Sequence, residues 1–314
     1  MMVAFGKAAA ICRLIGWTAV AASLGFIGLQ LWQHGPWRLA STHLEALAAA
    51  MIGGALLYGM AGFLLSSAWY QLLSAGGPKA PLRAHHAVYG RTQIAKYLPG
   101  NVFHLVGRQV MGGRLGYGQG RLALASLLEA VLLMLITAAL GLPVVLQWQA
   151  PGPLWILALA APVLALFAAR CAGRHDPALR DLGKEAAHGP LLTIPGALRA
   201  TILYAIFFLV IATIFWFLAL SVAEPGRPSI GLGASVSVVA LAWLIGFATP
   251  GSSAGIGVRE AVLIAALEDC LGAPASGLIA LALRLVTIAG DVVFFILGLT
   301  LGLADDRPKS VVLG

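Results

Sequence analysis

The chain alternates between long apolar runs and short polar breaks. No Asp, Glu, Lys or Arg occurs in 14–37, 46–78, 130–169, 200–223 or 228–258. A helix needs about 20 mainly apolar residues to cross the hydrocarbon core of a bilayer. Each run supplies that length, and the run from Ala130 continues a segment that begins before Glu129. The pattern predicts an all-α polytopic membrane protein with crossings near 14–32, 46–73, 122–146, 154–169, 200–222 and 231–249. The alternating segments of about ten residues that build a membrane β-barrel are absent. The apolar stretch 14–31 is longer than a signal-peptide core, so it reads as a retained first helix. Residues 255–271 are short for a crossing and open on Arg259 and Glu260; they either span or re-enter. Residues 275–303 are long enough to span. The expected total is seven or eight helices: eight leave both termini on one side, seven put the C-terminus outside.

Two segments interrupt this pattern. KYLPGNVFHLVGR, residues 96–108, lies in a stretch (84–111) too polar to span and too apolar for a plain loop. Pro99-Gly100 should break any helix there. Irregular backbone at membrane depth is tolerated where protein buries it or where it lines a wet cavity. The expected form is a re-entrant hairpin of two short helices joined by the Pro-Gly turn. TPGSSAGIGVRE, residues 249–260, repeats the spacing: Arg259 follows Pro250 by nine residues, as Arg108 follows Pro99. Paired Gly/Pro-interrupted segments in two halves point to a transporter binding site. The halves would be 1–150 and 190–304, within a single transmembrane domain over 1–314, with 170–199 as a cytoplasmic linker. Both breaks fall on the cytoplasmic side of the expected topology, which does not fit a simple inverted repeat.

Charge adds orientation. Lys79, Arg83, Arg91, Lys96, Arg108, Arg114 and Arg121 follow the second apolar run, and Arg170, Arg174, Arg180, Lys184 and Arg199 follow the fourth. The intervening loops carry only Arg38 and Arg227. Positive loops stay cytoplasmic, so the reading is a multi-pass inner- or plasma-membrane protein with its N-terminus inside. Trp32, Trp37, Trp148 and Trp155 cluster at the expected outer ends, where aromatic belts belong. The net charge of +8 is mostly this topology signal, and a basic inner face also draws anionic headgroups. At 60% hydrophobic and 10% charged residues, a soluble domain is excluded. Cys12, Cys171 and Cys270 stand apart, with no CxxC, and neither HExxH nor GxxxxGK[ST] occurs. No cofactor, metal, ATP site or nucleic-acid partner is expected. GRLGYGQG, 113–120, matches no phosphate-loop spacing and reads as a connector; Gly298 and Gly302 read as close helix packing.

Three ionisable residues fall well inside apolar helices: Glu129, Arg284 and Asp291. Such residues cost roughly 2.5–3.5 kcal/mol or more each at mid-helix, so they face a cavity or a partner. Arg284, Thr287 and Asp291 share one helix face. That stripe either pairs helices structurally or lines a path for a charged headgroup. Arg108 and Arg259 can bind phosphate oxygens in a bidentate way, with helix N-termini beside the Pro-Gly turns adding donors; the alternative is snorkelling at the membrane edge. Tyr97, His104 and Glu260 lie in the same two segments.

KYLPGNVFHLVGR, the acid in SLLEAVL, TPGSSAGIGVREAVL and ALRLVTIAGD together resemble the lysylphosphatidylglycerol synthase transmembrane-region family, over nearly the whole chain. One departure is SSA in PGSSAGIG, where the family more often has glycines. The resemblance implies lipid translocation between leaflets or support of such a pathway. It carries onto Tyr97, Pro99, Gly100, Arg108, Glu129, Gly255, Gly257, Arg259, Glu260 and Arg284. It does not imply lysyl transfer, which belongs to a separate soluble domain.

The expected function is a non-enzymatic flippase or transporter for a phospholipid or lipid-linked glycolipid with an anionic headgroup. A groove lined by Arg108, Arg259, Arg284, Glu129 and Asp291 would pass the headgroup while the acyl chains stay in lipid. Replacing Arg108 or Arg259 by alanine should then leave the fold and abolish lipid selectivity. One competing reading is a scaffold for a membrane glycosyltransferase or lipid-modifying enzyme. Another is a polyprenyl-pyrophosphate phosphatase, since PGSSAG partly resembles the PGxSRS stretch of that class. The arginine after the serine and an ExxxE are missing, however.

Overall fold

The computed structural model describes residues 32, 43–74, 80–97, 103–145, 193–223, 230–249, 255 and 257–303. Eight α-helices lie among them: α1 Leu44–Leu73, α2 Leu82–Gln93, α3 Phe103–Gly113, α4 Gln119–Val145, α5 Ile194–Ser221, α6 Leu232–Ala248, α7 Val258–Leu271 and α8 Ala273–Leu303. A 3-10 turn, Ile94–Tyr97, extends α2, and the described residues include no strand. The helices α1, α4, α5 and α8 are long and apolar enough to cross a membrane; α6 is apolar but shorter. The expected crossings at 14–32 and 154–169, both Pro-Gly pairs, and 170–192 of the expected linker lie outside the described residues.

The boundaries follow local chemistry. The helix expected from residue 200 starts six residues earlier, because Thr193 caps α5: its hydroxyl accepts the N–H of Gly196 at 3.2 Å, with a proline in the first turn. The last part of the expected linker is therefore helix. At 14 residues, α7 is only about 21 Å long. Gly272, at φ +78°, ends it in a left-handed conformation that suits glycine, and α8 starts at the next residue. The 84–111 stretch forms two short helices, α2 and α3, packed on one another and about 18 and 16 Å long.

α1 packs against α5 and α8, α8 also receives α2, α6 joins α4 to α5, and α7 lies on α8 and α6. Glycine permits the closest approaches. A Cβ on Gly59 would sit 3.0 Å from the Gly290 carbonyl oxygen, and one on Gly90 would sit 2.8 Å from that of Phe294. Gly298 packs on the Gly90–Arg91 backbone and Gly302 on the Arg91 guanidinium, which donates to the Gly298 and Leu299 carbonyls. The GxxxG of α8 thus serves close packing.

Candidate functional site

The charges expected inside the apolar helices gather, with their partners, into two groups. The first is built on α3 and α4. Arg108 Nη1 lies 2.7 Å from Glu129 Oε2, and Nη2 donates to Gln93 Oε1 at 3.0 Å. The Tyr89 hydroxyl donates to the other Glu129 oxygen at 2.6 Å. The guanidinium lies 3.6 Å from the Tyr89 ring centroid and faces Trp69 at 6.0 Å. Arg108 is 2% exposed and Glu129 5%. Gln93 and the aromatic faces supply part of the shell that a buried ion pair requires. Arg108 spends Nη1 and Nη2 on these partners, while its buried Nε has no hydrogen-bond acceptor among the described residues.

The second group lies where the 3-10 turn, α6, α7 and α8 meet. Asp291 Oδ2 lies 2.7 Å from Lys96 Nζ and accepts the Tyr97 hydroxyl at 2.5 Å. Glu260 Oε2 accepts the N–H of Gly257 at 2.5 Å, and Oε1 lies 3.6 Å from Arg284 Nη1. Glu260 thus caps its own helix, where a carboxylate meets free amides and a favourable dipole. Arg284 and Asp291 share a face of α8 as expected, but each takes its partner from another element.

Arg259, the second residue of α7, differs from both. It has no ion-pair partner among the described residues; its buried Nε has no hydrogen-bond acceptor there, a feature it shares with Arg108 Nε. Its guanidinium lies 5.3 Å from the Trp243 ring centroid. Two glycines make its place: a Cβ on Gly246 would come 2.5 Å from Arg259 Cγ, and one on Gly255 2.5 Å from Nε. Gly255 (φ +71°) and Gly257 (φ +81°) also hold left-handed backbone that other residues resist. Arg259, Arg284, Glu260, Tyr58, Trp243 and Thr287 line a cavity of ≈ 50 Å³, otherwise walled by apolar side chains. That volume holds roughly three or four water molecules. Among the described residues, Lys96 pairs with Asp291, Arg284 lies near Glu260, and Glu260 also acts electrostatically on Arg259.

His104, on α3, lies within electrostatic reach of both Arg108 and Lys96. Pro99 and Gly100 lie outside the described residues. The two arginines of the Pro-Gly repeat are not equivalent: Arg108 is the sixth residue of α3, Arg259 the second of α7. Sequence reasoning missed Lys96, Tyr58, Tyr89, Gln93 and Trp243 as site residues. Lys96 had been counted among topology charges. Trp243 carried a signal, an indole in mid-run far from the aromatic belts. Among the described residues, no group of three His, Cys, Asp or Glu is placed to hold a metal ion.

No protein-family model matches the chain, and no curated protein matches it.

Proposed function

We propose that the chain is a multi-pass protein of the cell's inner or plasma membrane, N-terminus inside, that moves a lipid with an anionic headgroup between leaflets. One observation carries this reading: Arg259 holds a half-buried guanidinium at a cavity, with no ion-pair partner within contact distance among the described residues. A cation without an ion-pair partner in such surroundings is disfavoured by desolvation. A protein retains it where a bound anion offsets the cost. Arginine suits phosphate oxygens, and the neighbouring Arg284 adds a second cation.

In this reading Arg259 receives the phosphate, with Trp243 and the two glycines fixing its direction. α2–α3 and α7 act as re-entrant elements that bring polar groups to membrane depth. The acyl chains stay in lipid, and a gradient or mass action supplies the drive. The resemblance to the lysylphosphatidylglycerol synthase transmembrane-region family supports translocation over catalysis. The scaffold reading also has one observation in its favour: the Arg108–Glu129 ion pair is held by the chain's own Tyr89 and Gln93.

Gentle purification and mass spectrometry of the retained lipids test the proposal. An anionic phospholipid or polyprenyl-phosphate glycolipid should be enriched over the bulk membrane, and Arg259→Gln should abolish the enrichment. Retained lipids that mirror the bulk membrane in both proteins would favour the scaffold.

A further inference from the structure

The first half of α1 and the last two turns of α5 enclose an apolar groove of ≈ 560 Å³. Small-molecule sites fall in the range of about 300–1,000 Å³. Ala46, Ala49, Ala50 and Gly53 form its floor on α1, and Ile214 and Phe217 form its wall on α5. Among the described residues no charged side chain lines it. Its one side-chain hydroxyl, on Ser221, donates to the Leu218 carbonyl of its own helix at 2.7 Å. A space so lined stays dry and takes hydrocarbon.

The groove starts within one helical turn of the Arg259 cavity. Tyr58 and Ile211 line the cavity; Leu57, next to Tyr58, and Ile214, three residues beyond Ile211, line the groove. Cavity and groove thus follow one another along the same two helices. From Leu57 back to Ala46 the groove runs about 17 Å along α1. Gly54 is needed for packing, since a Cβ there would come 2.9 Å from Ile214. Gly53 is not: a Cβ there would meet nothing within 4 Å. Glycine inside a helix is unfavourable, and here it keeps the groove wide.

We propose that this groove seats one hydrocarbon tail of the lipid whose phosphate lies at Arg259. The inference rests on the headgroup reading above and adds a seat for the tail. Leu57 and Phe217 are exposed at the groove, so the tail it holds stays in contact with the surrounding lipid. A further helix, such as the apolar segment 14–31, would fill the groove without accounting for its place beside the Arg259 cavity. One lipid accounts for both.

The test uses the full chain in micelles of neutral detergent. Dioleoyl- and dihexanoyl-phosphatidylglycerol share a headgroup and differ in tail length; each is titrated and read by native mass spectrometry. Wild type should bind the dioleoyl lipid more tightly. Gly53→Phe, or Ala49→Phe where the first variant does not fold, fills the groove. It should weaken the dioleoyl lipid about tenfold, through many small lost contacts, and leave the dihexanoyl lipid unchanged. Ile52→Phe, exposed on the same helix and off the groove, should bind both as the wild type does. Arg259→Gln should weaken both. Wild-type binding of the dioleoyl lipid by a folded groove-filling variant would overturn the tail seat and leave the headgroup reading standing. Wild-type binding of both lipids by Arg259→Gln would overturn the headgroup reading instead. Phe217→p-benzoylphenylalanine, irradiated in intact membranes, identifies the occupant. A cross-link to an anionic lipid that is lost with Arg259→Gln supports the tail seat; a cross-link to segment 14–31 or to a second copy overturns it.

Discussion

Arg108 and Glu129 close on one another at 2.7 Å inside a shell of Tyr89, Gln93 and Trp69. The pair ties α3 to α4, and the Tyr89 and Gln93 side chains tie both to α2. Opening it by Arg108→Ala leaves Glu129 buried and unpaired, at a cost of about 3–5 kcal/mol. The variant should melt well below the wild type in detergent, and Arg108→Met with Glu129→Leu should recover much of the loss. A wild-type melting curve for Arg108→Ala would show the pair to be dispensable.

Arg259→Gln should behave in the opposite way. Among the described residues no carboxylate forms an ion pair with Arg259, and its contact with Trp243 is worth about 0.5–2 kcal/mol. Its thermal stability should stay close to that of the wild type while retention of anionic lipid falls about tenfold or more. Stability loss as large as that of Arg108→Ala would assign Arg259 a structural role.

Gly246 gives a finer test of the same side chain. It sits within α6, and a methyl group there collides with Arg259 Cγ. Gly246→Ala should weaken anion retention in the wild type and have little further effect in an Arg259→Ala background. Such non-additivity marks a direct contact. Additive losses in lipid-retention assays would break the link between the two residues.

Lys96→Met leaves Asp291 without its cation, and Tyr97→Phe removes one hydrogen bond to the same oxygen. The first should cost about 3–5 kcal/mol and the second about 1–3 kcal/mol. Thermal unfolding of both variants checks the order; a reversal would mean that the hydroxyl, not the ammonium, holds Asp291.

The long apolar runs were legible because crossing length is a property of one segment read alone. The runs at 46–73 and 231–249 gave helices within a residue or two of the expected ends. Partners were not legible, because they come from other elements. Lys96, Arg108 and Arg121 looked like cytoplasmic loop charges. Lys96 is held by Asp291, Arg108 by Glu129, and Arg121 Nε donates to the Leu73 carbonyl at the end of α1. Burial removes all three from the orientation signal and leaves it thinner on this side, carried by exposed residues such as Arg83 and Arg114. Arg284 and Asp291 were recognisable as a stripe from their spacing, but nothing in that spacing says that Glu260 and Lys96 complete it. The glycines of GIG were legible as a motif. Their reason, room for one arginine and two left-handed residues, needed the fold.

The most direct measurement is headgroup movement in sealed vesicles. The full chain is reconstituted with trace phosphatidylglycerol labelled on an acyl chain by a dithionite-sensitive fluorophore, and the fraction of label reaching the outer leaflet is followed over time. The account predicts faster exchange than in protein-free vesicles, and a return to the protein-free rate with Arg259→Gln in a protein that remains folded. Exchange that is no faster than in protein-free vesicles, or that is equal in wild type and Arg259→Gln, would contradict it.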